Sequence, residues 1–298
     1  RFLDNVLQSF IDTAGSDFAR ATYAAMRERS VGLGVMGFHS FLQANNIPLE
    51  SVMAKVWNKK MFKHIRGQCD DASVSLGKER GACPDAADFG FEDRFSNKLA
   101  IAPTASISII CGGASPGIEP SAANVYNHKT LSGSFVVRNP YLEKLLEQKG
   151  RNDEDTWTTV TTSQGSVKDL DCLDDHEKAV FKTAFEIDQR WLVEHAADRA
   201  PYICQSQSLN IFLPADVHKR DLHQIHMMAW KRGVKSLYYC RSLSIQRAEA
   251  VSGDAMADQR GDHAMGVPTR EEGAEAPLPF VGNQISQSND YEECLSCQ

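Results

Sequence analysis

At 298 residues, with 42% hydrophobic and 24% charged side chains, the chain is long enough for one large domain or two ordinary ones with a proper core. Its net charge of −7 is unevenly placed: residues 249–298 hold ten acids against two arginines, while residues 1–248 hold 29 acids and 30 bases. A near-neutral body gives no basic face for nucleic acid, and apolar runs as short as "SISIICGGA" leave nothing near the ~18 to 20 residues of a membrane-spanning helix.

The chain begins at Arg1, in an amphipathic segment already under way and without the basic-then-apolar layout of a signal peptide, so it reads as part of something longer. Residues 1 to about 80 are predicted mainly helical, because "FARATYAAMRERS" and "LESVMAKVWNKKMFKHIRGQCDDASVSLGKER" space their apolar residues three and four apart; Pro84 is expected to close that stretch. From about 97 to 140 the texture turns to short β-rich pieces and loops, "LAIAPTASISII", "CGGASPGIEPSAANVY" and "TLSGSFVV". Loops that long are usually functional.

A polar stretch then leads into one predicted helix through Phe181, Phe185, Ile187, Trp191, Leu192 and His195, followed by strand-like "SLNIFL". "DVHKRDLHQIHMMAWKRG" predicts an amphipathic helix with Asp216 as its cap, Leu222, Ile225, Met228 and Ala229 on one face, and Gly233 as its stop. It delivers the chain into "VKSLYYC". Helices feeding strands make the chain mixed α/β, with no internal repeat. After residue 248 the patterning is lost in a Gly-, Pro-, Ala- and acid-rich stretch that cannot bury enough apolar area to order itself. The expected division is a folded body, 1–248, and a flexible acidic tail, 249–298.

Taken singly, the motifs are ambiguous. Gly32, Gly34 and Gly37 satisfy G-x-G-x-x-G, but a helical, charged segment precedes them where a dinucleotide site needs a buried strand, so close packing is the plainer reading. His223 and His226 lack a partner at metal-ligand spacing and read as ordinary surface or core histidines. In "APTASIS", Pro103 at a helix start followed by Thr104, Ala105 and Ser106 would leave backbone N–H groups open to an anion, although a routine capped turn fits as well. Tyr238 and Tyr239 are adjacent; strand alternation would put one in the core and one outside. Cys294 and Cys297 form a C-x-x-C near the end of the tail, without the second ligand pair of a zinc site. The other cysteines (Cys69, Cys83, Cys111, Cys172, Cys204, Cys240) lack framework spacing, which predicts a reducing compartment and hence the cytoplasm.

In order, "RSVGLGVMGFHSFL", "LAIAPTASISII", "GIEPSAANVYNHKTLSGSFVVRNPYL", "QSQSLNIFL", "MMAWKRGVKSLYYCRS" and the terminal "CLSC" resemble the large (α) subunit of class I ribonucleotide reductases, over the C-terminal part of that family's length. The resemblance implies most of the second half of a ten-stranded α/β barrel, followed by a flexible tail. It implies that Pro103, Thr104, Ala105, Ser106 and Ile107 bind the phosphates of a ribonucleoside diphosphate, with Ile107 standing where hydroxyl residues are common. Tyr238 and Tyr239 would relay a radical from the small (β) subunit, which carries the di-metal radical cofactor; none is expected on this chain. Cys240 beside them is an oddity, since an oxidisable thiol there could leak the radical. Cys294 and Cys297 would re-reduce the active-site disulfide and be reduced in turn by thioredoxin or glutaredoxin.

The resemblance has a gap. The family's Asn-x-Cys-x-Glu loop, which bears the radical cysteine, and its N-terminal nucleotide-binding module do not occur in this sequence. The expectation is one half of a split or truncated α subunit, active only with the portion that supplies them, in a bacterial or phage-infected cell. Two other classes stay open at this point: a nicotinamide-dependent dehydrogenase resting on the three glycines, and a non-catalytic thiol- or zinc-binding protein resting on the tail.

Overall fold

The computed structural model describes residues 1–130, 133–214 and 216–242. Its first part is helical as the periodicity predicts: α1 (Phe2–Thr13), α2 (Ala19–Glu28), α3 (Phe38–Ala44) and α4 (Val52–Arg80). The Ser51 hydroxyl starts α4 by accepting from the Ala54 N–H at 3.1 Å, and Lys78 and Arg80 fill its last turn beside the terminal carbonyls. Gly81, at φ 88°, ends it. Pro84 therefore closes nothing. It opens α5 (Pro84–Asp88), where a missing N–H leaves no hydrogen bond unmade.

The stretch "SISII" also departs from its β-rich reading and forms α6 (Ala105–Ile110). A hairpin follows, β1 (Val125–Thr130) antiparallel to β2 (Gly133–Arg138), with Val125 opposite Arg138 and Thr130 opposite Gly133. Next come α7 (Pro140–Gln148) and α8 (Glu154–Thr162), capped by the side chains of Asn139 and Asp153. The helix predicted through Phe181 and His195 is two helices. A reciprocal pair of bonds between Asp174 and Glu177 starts α9 (Asp175–Val180), and the Asp188 carboxylate restarts the chain as α10 (Gln189–Arg199). The interruption lets the Ala184 N–H reach the Ser121 carbonyl at 2.8 Å and Thr183 bond to Glu186.

After β3 (Ile211–Leu213) comes α11 (Lys219–Lys231), capped by His218 rather than Asp216: the His218 Nδ1 accepts from the Arg220 N–H at 3.1 Å. Its predicted apolar face is correct, with Ile225 and Ala229 buried and Leu222 and Met228 packed on the core. The last described element is β4 (Cys240–Ser242).

These elements build a parallel arrangement. Leu33 bridges Leu99, Ile101 bridges Gln207, and β3 pairs with β4, all in parallel. Four extended segments near residues 31–34, 97–101, 205–213 and 238–242 thus lie in order, joined by helical crossovers as parallel strands require. The glycines serve this approach. A Cβ on Gly34 would stand 2.6 Å from the Ala100 carbonyl oxygen, so only glycine lets the first two segments come together. The main core packs α3, α4, α10 and α11 against the segments through Phe38, Leu42, Phe62, Leu192, Leu209 and Ile211. A second cluster, including Leu142, Leu146, Trp157 and Val160, joins α7 and α8 to the foot of the hairpin.

Candidate functional site

The segment at residues 97–101 runs directly into Pro103 and Thr104. Thr104 takes the left-handed conformation, φ 54°, which a β-branched residue adopts only when its surroundings hold it there. What holds it is the hydroxyl: Oγ1 accepts from the Gly117 N–H at 2.8 Å. Gly117, at φ 49°, sits so close that an added Cβ would meet the Ala102 carbonyl at 2.9 Å. Because the Thr104 hydroxyl is used this way, no side chain caps α6. The first intrahelical bond there runs from the Ser108 N–H to the Thr104 carbonyl at 2.9 Å, which leaves the N–H groups of Ala105, Ser106 and Ile107 ahead of it. Ser106 and Ile107 are exposed, and Ser108 folds its hydroxyl back onto the Ala105 carbonyl. Pro103 stands two residues before the helix rather than within it. The arrangement is a short row of backbone donors with small or outward side chains, suited to an anion.

Tyr238 and Tyr239 lie just ahead of β4. The Tyr238 N–H donates to the Leu209 carbonyl and the Ile211 N–H to the Tyr239 carbonyl, both at 2.9 Å. Between these bonds the Tyr239 N–H leaves the ladder and donates to the Asn210 side-chain oxygen at 3.0 Å. Simple alternation is thereby broken. The two rings meet on one side, centroids 4.2 Å apart and planes inclined at 56°, so they are in contact but not in a parallel offset stack. Both are partly exposed, Tyr238 at 49% and Tyr239 at 41%. The Arg241 guanidinium stands 5.8 Å from the Tyr239 ring centre. Partial burial pushes the neighbouring Cys240 thiol above its ordinary pKa, which keeps it protonated.

Two residues beyond Gly117, Glu119 is buried at 5% exposure, which pushes its carboxyl above the ordinary range. Asn210, whose side-chain oxygen accepts from the Tyr239 N–H, is buried as well. Sequence reasoning passed over both Glu119 and Asn210. A signal existed: Asn210 is a polar residue inside the apolar run "SLNIFL", and such a residue needs a buried partner.

Residues 1–93 and 89–240 match the barrel domain of ribonucleotide reductase. The chain belongs to that family. It is 47% identical over 258 residues to the ribonucleoside-diphosphate reductase large subunit of Invertebrate iridescent virus 6, covering 85% of this chain and 27% of the relative. Against the large chain 2 of Saccharomyces cerevisiae it is 31% identical over 328 residues, covering 97% and 38%. Among solved structures, the class Id ribonucleotide reductase alpha subunit of Actinobacillus ureae matches at a TM-score of 0.76 and 39% identity, covering 85% of this chain and 46% of that one. The chain thus spans less than half the length of each.

Within a ribonucleotide reductase barrel domain the ambiguous motifs take their place. Gly32 and Gly34 belong to an extended segment packed on Ala100 and form no phosphate-cradling turn, which removes the dehydrogenase reading. His223 and His226 are exposed on α11, and among the described residues no three His, Cys, Asp or Glu side chains gather as a metal-ligand set. No described helix is long and apolar enough to cross a membrane. The thiols of Cys69, Cys83, Cys111, Cys172, Cys204 and Cys240 are free. Cys294 and Cys297, with the whole tail 249–298, lie outside the described residues.

Proposed function

We propose that the chain serves as the C-terminal portion of a class I ribonucleotide reductase large subunit, acting on ribonucleoside diphosphates. The observation that carries this reading is the contact of the Tyr238 and Tyr239 rings at 4.2 Å, with the Tyr239 N–H held by the Asn210 side chain. Two phenols in contact can hand on an electron together with a proton, one ring losing the O–H hydrogen as the other regains it. In this reading a β subunit is the source of the radical, and Tyr238 and Tyr239 relay it.

The amides of Ala105, Ser106 and Ile107, preceded by Pro103 and Thr104, hold the substrate phosphates. The four parallel segments are part of the second half of a ten-stranded barrel. The Asn-x-Cys-x-Glu loop and the two thiols that become a disulfide as the substrate's 2′-hydroxyl leaves as water belong to a portion of the enzyme outside this sequence. Cys294 and Cys297 then reduce that disulfide through a mixed disulfide, becoming a disulfide themselves, and thioredoxin or glutaredoxin restores them. Large exposed apolar side chains on α1 and α2, Phe2, Val6, Tyr23 and Met26 among them, support a sizeable interface with the missing portion.

The test is reconstitution. The chain, a polypeptide carrying the missing portion, a β subunit and reductant should together form deoxyribonucleotides, and either Tyr238→Phe or Tyr239→Phe should abolish turnover while diphosphate binding is kept. Turnover by the chain with β subunit and reductant alone would overturn the proposal.

A further inference from the structure

Helix α3 starts from Gly37, which has no side chain to cap it, and its first amides are bonded instead to one turn far along the chain. The Gly37 N–H donates to the Ser115 carbonyl at 2.7 Å and the Phe38 N–H to the Gly117 carbonyl at 3.4 Å. The Ser40 N–H donates to the Ser115 hydroxyl at 3.1 Å, and the Ser40 hydroxyl accepts from the Ser115 N–H at 2.8 Å. This is the reciprocal pattern of a capping box, with the capping serine drawn from 75 residues away instead of from the position before the helix. Both serines are buried, Ser40 at 6% exposure and Ser115 at 3%, so water cannot replace either bond.

The same turn holds the anion loop from its other side. Only Pro116, with its fixed φ, separates Ser115 from Gly117, whose N–H donates to Thr104 Oγ1 at 2.8 Å. A Cβ on Gly117 would stand 2.9 Å from the Ala102 carbonyl oxygen, and the next residue, Ile118, is anchored in the main core. The turn thus has little room to shift without moving Thr104. We infer that Ser40 and Ser115 are positioning residues for phosphate binding: their reciprocal bond sets Gly117, Gly117 sets Thr104, and Thr104 aims the amides of Ala105, Ser106 and Ile107. Neither serine touches the ligand in this scheme. The inference rests on reading Pro103 to Ile107 as the phosphate site, and two measurements separate it from that reading.

In the reconstituted enzyme, Ser40→Ala and Ser115→Ala should each raise KM for a ribonucleoside diphosphate about fivefold and leave kcat within about twofold of the parent, the mark of lost uniform binding. Adding Thr104→Val to either should weaken binding no further than the weaker single variant, because all three cut one chain of hydrogen bonds. Serine variants that lose thermal stability at unchanged KM have a merely structural role, and that result would overturn the inference. Effects that multiply in the double variants would overturn it as well.

The second measurement needs no substitution, and it decides the matter if the serine variants do not fold. By linkage, a diphosphate held at the loop should slow amide hydrogen exchange both at residues 104–108 and in the first turn of α3, residues 37–41. Slowing at 104–108 alone removes the role of the serines and leaves the phosphate reading standing. Slowing at neither stretch removes the phosphate reading and the inference with it.

Discussion

Asp4 and Arg29 form a buried ion pair, Arg29 Nη2 to Asp4 Oδ1 at 2.7 Å, with side chains 1% and 7% exposed. Arg80 and Arg94 reach the same carboxylate at 2.7 and 3.1 Å, so the first turn of α1 is tied at once to the ends of α2 and α4 and to the strand approach at residue 94. Burial pushes the Asp4 carboxyl up, but hydrogen bonds from Arg29, Arg80 and Arg94 outweigh it and hold the pKa at about 2. Asp4→Asn leaves three guanidinium groups crowded round a neutral amide and should cost about 3 to 5 kcal/mol in urea unfolding at pH 7. The contribution is complete above the unfolded value of about 3.9 and fades as pH falls toward 2, so the gap between parent and variant should narrow over that window.

Two histidines set a second acid limit at higher pH. His39 and His195 are buried and held near 4, chiefly by burial itself. The His39 Nδ1 accepts from the Ser121 N–H at 3.0 Å, a bond that requires the neutral ring, and the His195 Nε2 lies 2.9 Å from the Leu49 carbonyl. In the unfolded chain both titrate near about 6.5. Below that value the unfolded state binds more protons, so the stability these rings contribute is complete above about 6.5 and is lost as pH falls toward 4. The slope between pH 6 and 5 should approach about 2.7 kcal/mol per pH unit. His39→Gln and His195→Gln should each remove about half of it.

Thr104 separates conformation from hydrogen bonding at the anion loop. Thr104→Val keeps the shape but deletes the acceptor for the Gly117 N–H, and should cost about 1 kcal/mol and weaken ribonucleoside diphosphate binding several-fold. Thr104→Gly loses the same bond but relieves the left-handed backbone, worth about 1 kcal/mol. It should be the more stable of the two and bind no better. Calorimetric titration with a diphosphate, alongside thermal unfolding, tells them apart.

The tail dithiol has its own signature. In the reconstituted enzyme, Cys294→Ser should block turnover driven by thioredoxin while dithiothreitol, small enough to reach the disulfide unaided, still supports it. Equal loss with both reductants would contradict the carrier role.

What the sequence made legible was whatever rests on long periodic patterns or on motifs with a fixed chemistry. The long α4, the apolar face of α11 and the family motifs around Pro103 and Tyr238 fall in this group. Misread features turned on single side chains. Hydrophobic spacing runs on through Phe181, Phe185 and Ile187, and only the short-range bonding of Asp174 and Asp188 divides α9 from α10. His218 displaced Asp216 as a cap because an imidazole nitrogen can accept as a carboxylate does.

The parallel order of the four segments also bears on how the protein is made. Leu33 must wait for Leu99, Ile101 for Gln207, and β3 for β4, so each pairing closes a loop of dozens of residues before it is rewarded. Synthesis runs from the N-terminus, and β4 is the last of these segments to leave the ribosome. Until Cys240–Ser242 docks beside Ile211–Leu213, Tyr238 and Tyr239 have no fixed separation, so the relay proposed above would be absent from a nascent or partly folded chain. On that proposal late assembly is a safeguard, keeping one-electron chemistry switched off in every state but the finished one.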